Sequence, residues 1–328
     1  MALLAVNNPT MADVSRRLDP NGRIDKVVEI LSQVNELTEE GTFLEANSGT
    51  GHKTTVRTGI SAPTWRQMYQ FVQPTKSETA QVTDNCGQLA DYSQVDKAMV
   101  DISNNAQDFR LSEDTAKIIG ISESVASTTF YGDETVTPER FTGLAPRYNS
   151  LGAQNGINII DAGGVGANNT SVWLCVWGEN TMHYIYPQGT VAGVQQEDQG
   201  QRTVQGPSGG LMEAYQTYYT QQVGLSVRDW RYAVRIANID IATLRTSAGA
   251  QALVRAMIRA TERIPHLSMG RPCFYVSREA RENLRLGILD KITNNLNWET
   301  VAGKKVMAFD DIPVRRTDAL LSTEARVI

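Results

Sequence analysis

The stretch from Lys304 to Asp318 leaves few choices for the local fold. A strand pattern through Val306 and Phe309 meets two acidic residues, Asp310 and Asp311, and a second strand pattern opens on Ile312, Pro313 and Val314. A proline at the start of a strand forgoes a donor where the ladder needs none. The segment therefore reads as a β-turn-β unit. Just upstream, residues 271–276 read as a strand, and Ser277 caps a helix over 278–286. A further helix over 250–264 is stopped by Pro265. The C-terminal third is thus α/β.

A chain of 328 residues with 41% hydrophobic composition can bury a sizeable core, and more than one domain is expected. A formal net charge of -5 argues against a uniformly basic nucleic-acid binder and leaves room for a local basic face. Of 31 basic residues, 23 are Arg, whose planar fork suits subunit interfaces; a genomic base-composition bias gives the same excess. Cys86, Cys175 and Cys273 lie far apart without metal or redox spacing, so reduced thiols are expected. The N-terminus turns polar too soon for a signal peptide, and no apolar run has membrane-spanning length. Synthesis and use in cytoplasm, with no membrane partner, are the expectation.

Residues 1–22 lack periodicity and read as an extended arm. Ile24, Val27, Val28, Leu31, Val34 and Leu37 then predict a helix over 23–39, closed by Gly41. Residues 46–90 change character. A turn cluster from Asn47 to Gly51 precedes a strand over 54–60, then Trp65, Tyr69 and Phe71, and the chain turns back near Pro74. An isolated two-stranded excursion is marginal in water, so one like this lies against something else.

A helix is expected over 112–131, with Ser112 as its cap and Glu113 and Asp114 at its positive end. Its stripe is Ile118, Ile119, Ser122, Val125, Ala126 and Phe130, and Gly132 ends it. Residues 141–147 form a compact loop. Residues 157–236 read mainly as β. Val172–Trp177 and Met182–Tyr186 suggest a hairpin about Gly178–Asn180. Residues 191–210 are a long loop or exposed hairpin, and strands over 212–223 and 225–237 follow. In the latter, Tyr232, Val234 and Ile236 alternate with Arg231, Ala233 and Arg235.

Sites for chemistry are few. The run from Asn47 to Thr54 resembles a phosphate loop but has His52 and Asn47 where glycines are needed, so a mobile turn fits better. The loop from Gly163 to Gly166 follows a strand pattern, yet a dinucleotide site requires a helix to begin there. The β-rich run after Asn168 favours a loop between strands; a cofactor-binding enzyme using this loop is the alternative. Cys175 and His183 would be neighbours on the expected hairpin, but no orienting third group is evident, and a satisfied sheet histidine is the simpler reading. No catalytic residue, cofactor or metal ligand is assigned. Arg255, Arg259 and Arg263 recur every four residues, as nearly do Arg278, Arg281 and Arg285. Like charges so spaced repel by a few tenths of a kcal/mol. Such rows suit either a solvated face with Glu262 and Glu282 nearby, or a face toward another subunit or packaged DNA.

The order of these parts, ending in Gly303, Val306, Phe309, Asp310, Asp311, Ile312, Pro313 and Val314, resembles the tailed-phage major capsid proteins of the Hong-Kong-97 type, and is most similar to those of short-tailed phages. The resemblance implies an α+β fold with an N-terminal arm (1–22) and an extended β loop (46–90). It also implies a peripheral domain (23–45 and 91–245) with its spine helix at 112–131, and an axial domain (246–312). A C-terminal strand (313–328) would return to the peripheral domain. The implied function is structural, without enzymatic activity: hexamers and pentamers of an icosahedral virion shell around double-stranded DNA, assembled in the host bacterial cytoplasm. Implied partners are further copies of the chain, a scaffolding protein, a portal and a decoration protein, with DNA bound non-specifically. Arg57, Trp65, Arg66, Tyr69 and Phe71 in the extended loop, with Arg255, Arg259 and Arg263, are the candidate interface residues. An encapsulin-like nanocompartment and another virion component are the structural alternatives.

Overall fold

A computed structural model describes residues 37–102, 106–205, 210–289, 296–301 and 304–328. The expected arm, and the expected helix up to residue 36, lie outside the described residues. The elements in chain order are α1 (Leu37–Glu40), β1 (Phe43–Glu45), β2 (Gly51–Gly59), β3 (Glu78–Asp96), α2 (Lys97–Ile102), α3 (Ala106–Tyr131), α4 (Leu144–Arg147), β4 (Ile159–Asp161), β5 (Asn169–Trp177) and β6 (Met182–Tyr186). They continue with β7 (Gln195–Gln205), β8 (Leu211–Val227), β9 (Ala233–Asp240), α5 (Ile241–Leu244), α6 (Ser247–Arg263), β10 (Arg271–Val276), α7 (Arg278–Leu289), β11 (Leu296–Val301), β12 (Lys304–Phe309) and β13 (Ile312–Arg316). The chain forms two compact units, one including residues 88–126 and 191–222, the other including 34–87, 127–190 and 223–328.

In the larger unit β5 is the central strand, antiparallel to β9 on one edge and to β10 on the other. Beyond β10 the sheet continues through β13, β12 and β11. Every residue of β5 is buried. Its period of two sends Val172, Leu174 and Val176 into an aliphatic core with Leu253 and Met257 of α6 and Leu284 of α7. Trp173 belongs to an aromatic layer instead, with its ring centroid 6.3 Å from Phe130 and 5.8 Å from Tyr148. Trp177 stacks on Tyr184 at 4.8 Å and donates from Nε1 to the Tyr275 hydroxyl at 2.8 Å. Cover on both faces explains the unbroken apolar run, as in doubly covered sheets.

The expected hairpin of 172–177 with 182–186 does not form. Both edges of β5 are occupied, so β6 meets it only at Trp177 and Met182 and pairs with β1 and β8 instead. The strand expected over 212–223 does not stop at Gly224; β8 runs on to Val227. A side chain at Gly224 would sit 2.7 Å from the Asn85 carbonyl and 2.9 Å from Ile185, so glycine there serves close approach rather than a break. In β9, Arg235 is buried like its neighbours, contrary to a simple alternation of faces. The last segment is a strand only as far as Arg316, and the residues beyond it form an irregular tail.

That tail is held by polar groups. Asn238, in the left-handed region at φ 58°, donates to Val327 O at 3.0 Å and accepts from Val327 N at 2.8 Å. Asparagine is among the few side chains that tolerate this backbone. Arg235 and Glu324 form a buried ion pair at 2.7 Å. Arg235 also donates to Ser171 at 3.1 Å and to Tyr148 O at 2.8 Å, and Tyr131 and Ser171 donate to Glu324.

The C-terminal β-turn-β unit forms with Asp310 and Asp311 as its two-residue turn, both left-handed at φ 46° and 66°. That is the backbone of a type I′ turn. Pro313 stands second in β13, which also runs parallel to β10. Ser277 accepts from Ala280 N at 3.3 Å, as its capping role requires, and Thr246 caps α6 through Gly249 N at 3.1 Å.

In the smaller unit β7 and the first part of β8 form an antiparallel hairpin with an irregularity between Asp198 and Gly200. Arg110 ties to it, pairing with Asp198 at 2.7 Å and lying 5.2 Å over the Tyr215 ring. The long helix begins at Ala106, so Ser112 is inside it and not its cap. Val125, Ala126 and Phe130 of the expected stripe are buried, whereas Ile118 and Ser122 are exposed and Asp114, Ile121 and Thr128 join the buried face. Buried polar residues on that face make its hydrophobic stripe appear displaced.

Candidate assembly surface

β2 and β3 pair antiparallel from Gly51 opposite Asn85 to Gly59 opposite Glu78. Residues 60–77, which join them, have no regular structure beyond a turn and are exposed throughout. Connections this long inside a domain are uncommon and usually functional. This one carries its apolar side chains outward: Trp65, Tyr69 and Phe71 are 100%, 101% and 97% exposed, with Ile60 and Met68 nearly as bare. Tyr69 is held left-handed at φ 66° by a turn in which Gln70 N donates to Gln67 O at 3.2 Å. A bulky residue in that region stores strain, which clusters at functional places. Arg57, on β2, and Arg66 are also exposed, so a basic and aromatic tip is presented. Large apolar side chains left bare on one loop mark a candidate site of interaction.

The base of the hairpin is polar. Asn47 brackets Lys53, donating to its carbonyl at 2.8 Å and accepting from its N–H at 2.9 Å. Asp84, on β3, accepts from Arg147 of α4 at 2.8 Å, and Arg228, the residue after β8, lies 3.0 Å from His52 Nε2. His52 meets His183 of β6 edge to face at 5.9 Å. Both ring nitrogens of His183 are buried without a well-formed hydrogen bond, although the nearby Gly178 carbonyl favours its protonation, so the expectation of a fully satisfied sheet histidine is corrected. Cys175 does not neighbour His183 across a hairpin: it sits opposite Cys273 and Ala233, whereas His183 sits opposite Ser226. Burial pushes the thiols of Cys175 and Cys273 up, which keeps them protonated and unreactive.

The arginine row on α6 divides. Arg255 and Arg259 are exposed and line a cavity of about 650 Å³ that the Gly163–Gly166 loop closes. Arg263 is half-buried and donates to Ile159 O at 2.9 Å, so it belongs to the fold. On α7, Arg278 pairs with Asp318 at 3.1 Å. The glycine loop runs from β4 to β5, as the β-rich run after it suggests. Its Gly163 and Gly164 N–H groups are committed to Asp161 at 2.8 Å and to Asn238 O at 2.8 Å. Donors so engaged are not aimed at a pyrophosphate. Among the described residues no cluster of three His, Cys, Asp or Glu could hold a metal, and no helix is long and apolar enough to cross a membrane.

Reading periodicity missed the Arg235–Glu324 pair and the His52, His183, Arg228 and Asp84 cluster. The one available signal was a charged or titratable residue inside an otherwise apolar strand, and that signal does not name the partner.

No curated protein matches the chain. Among solved structures, a chain of bacteriophage Epsilon15 derived from cryo-EM is 38% identical with TM-score 0.76, over 100% of this chain and 99% of that one. The bacteriophage JBD30 capsid matches at 7% identity and TM-score 0.49, over 89% of this chain and 93% of that one. An SrpI encapsulin from Synechococcus elongatus matches at 9% and 0.44, over 72% and 97%. At those scores neither of the last two adds to the argument. The family model for major capsid protein GP7 matches residues 19–328. Nearly the whole chain falls within that match, and with the Epsilon15 likeness it bears out the Hong-Kong-97-type α+β fold; the chain belongs to the GP7 family and is a bacteriophage major capsid protein.

Proposed function

We propose that this subunit assembles with copies of itself into the hexamers and pentamers of an icosahedral shell around double-stranded DNA. The exposed apolar tip at residues 60–77 carries this reading, because a capsid-family chain that leaves Trp65, Tyr69 and Phe71 bare has a surface built to be covered. The β2–β3 hairpin is the extended loop, and it lies over the peripheral domain of a neighbouring copy. The peripheral domain takes in residues 91–245, with the spine helix in α3. The axial domain takes in 246–312, where Arg255 and Arg259 face another subunit or packaged DNA. The role is structural, not enzymatic. Assembly takes place in the bacterial host with a scaffolding protein, a portal and a decoration protein as partners, and DNA is held without sequence preference.

Interfaces of obligate assemblies bury roughly 2,000 Å² or more, and many modest contacts per subunit sum to a stable shell. Trp65→Ala or Tyr69→Ala should leave the subunit folded, because neither side chain packs within it. Each should nonetheless cripple assembly. Negative-stain micrographs of cells or lysates expressing either variant give the test. Normal shells in normal yield would remove the hairpin from the assembly surface.

A further inference from the structure

The root of the β2–β3 hairpin concentrates orphaned polar atoms. Both nitrogens of His183, the Ser226 hydroxyl, Asp84 Oδ2, Arg228 Nε, Arg147 Nε and the Thr54 hydroxyl are all buried without a hydrogen-bond partner. These residues come from β2, β3, β6, β8, the residue after β8, and α4, which meet at the root of the hairpin. Arg147 pairs with Asp84 and Arg228 lies against His52, so the site holds two cations and one carboxylate. Among the described residues Arg228 has no carboxylate in an ion pair, and its side-chain partner is His52. The other charged groups nearby are engaged elsewhere or exposed: Glu45 of β1 accepts from Gly189 N, Glu134 accepts from Asn85, Asp229 holds Arg231, and Lys53 points to solvent. With both imidazoles neutral the site has a net charge of about +1. With both protonated it would reach about +3, counting Asp84, around two rings that are themselves buried.

We propose that the buried His52–His183 pair is an acid-sensitive latch that seats the root of the β2–β3 hairpin while both rings are neutral and releases it when they are protonated. Released rings regain water and their ordinary basicity. Seated rings resist the proton because of burial first and the Arg228 cation second, which lowers His52 and brings His183 to about 4 from 6.5. The folded value is the depressed one, so the seating is complete above pH 6.5 and is lost as pH falls toward 4. For His183 alone, release becomes roughly thirty-fold easier at pH 5 than at pH 7.5. Gly224, which lets the Asn85 carbonyl approach β8 closely, lies within the same root, so loosening there reaches both strands of the hairpin. The latch concerns the single subunit and stands apart from how a shell uses the hairpin.

Hydrogen–deuterium exchange of the full chain, corrected for the intrinsic pH dependence of amide exchange, is the test. Peptides covering 51–59 and 78–87 should lose roughly thirty-fold protection between pH 7.5 and 5 in the native protein, and less than about threefold in the His52→Gln/His183→Asn variant. Equal losses in both proteins, or no loss in the native one, would overturn the latch. A second measurement needs no variant. Imidazole C2–H exchange followed by mass spectrometry on the native chain should place the His183 midpoint below 5, and a midpoint near 6.5 would overturn it equally.

Discussion

Removing the Glu324 carboxylate should test whether the tail is held by charge or by packing. Glu324 and Arg235 are 4% and 5% exposed, so neither charge can fall back on solvent if its partner is lost. In Glu324→Ala, Arg235 keeps its bonds to Ser171 at 3.1 Å and Tyr148 O at 2.8 Å, and its place 5.2 Å over the Trp173 ring. It nevertheless loses its one counter-charge among the described residues, and the Tyr131 and Ser171 hydroxyls lose their acceptor. Breaking one side of a buried pair typically costs about 3–5 kcal/mol, because the survivor remains buried and uncompensated. Against a total stability of roughly 5–15 kcal/mol, that is enough to undock the tail or unfold the unit. The reverse control is as informative. Arg235→Met with Glu324→Leu removes both charges, and such replacements are often neutral. The double variant should therefore recover most of the loss. Urea unfolding of free full-length subunits, followed by circular dichroism, gives each midpoint and slope. A Glu324→Ala cost below about 1 kcal/mol, or a double variant worse than the single, would refute a charge clasp.

Two local backbone predictions follow. Asp311→Gly should stabilise the subunit by about 0.5–1 kcal/mol, because a type I′ turn favours glycine at a position now left-handed at φ 66°, whereas Asp311→Val should destabilise it; thermal unfolding reads both. Gly224→Ala should cost about 1–3 kcal/mol, since its new carbon would meet the Asn85 carbonyl at 2.7 Å; a melting temperature equal to the parent's would show that the two strands part freely.

The elements that could be read correctly from the residues are those set by local chemistry. Ser277 before a helix, the acidic turn before Ile312 and the polar 191–210 excursion each carry their own signal within a few residues. So does the aromatic tip, where Trp65, Tyr69 and Phe71 stand out in a loop with few aliphatic residues. The misread elements depend on partners distant in sequence. β6 could not pair along β5 because β9 and β10 already hold both edges, and no property of residues 172–186 announces that. Arg235 looked solvent-facing because its counter-charge is Glu324, near the far end of the chain. Ser112 has the chemistry of a cap, but the helix starts at Ala106. The hydrophobic stripe of α3 was displaced because Asp114 and Thr128, polar by type, occupy buried positions.

Where this subunit places its apolar and polar groups fits a building block. A central sheet covered on both faces uses its aliphatic residues against α6 and α7 and its aromatic residues against Phe130 and Tyr148, which makes a stiff body. An ordinary monomer would bury its remaining aromatic residues as well, since each can bury roughly 150–250 Å². Here Trp65, Tyr69 and Phe71 are instead held on a hairpin, while polar side chains crowd its root. At about 25 cal/mol per Å², even half-covering those three rings would contribute several kcal/mol before association costs are subtracted. The proposed shell contact would draw on that energy. On the latch proposal the root, built from charges and imidazoles, is where the hairpin would change its angle. A stiff body, an adhesive tip and an adjustable joint between them would let one sequence occupy the slightly different environments of a closed shell.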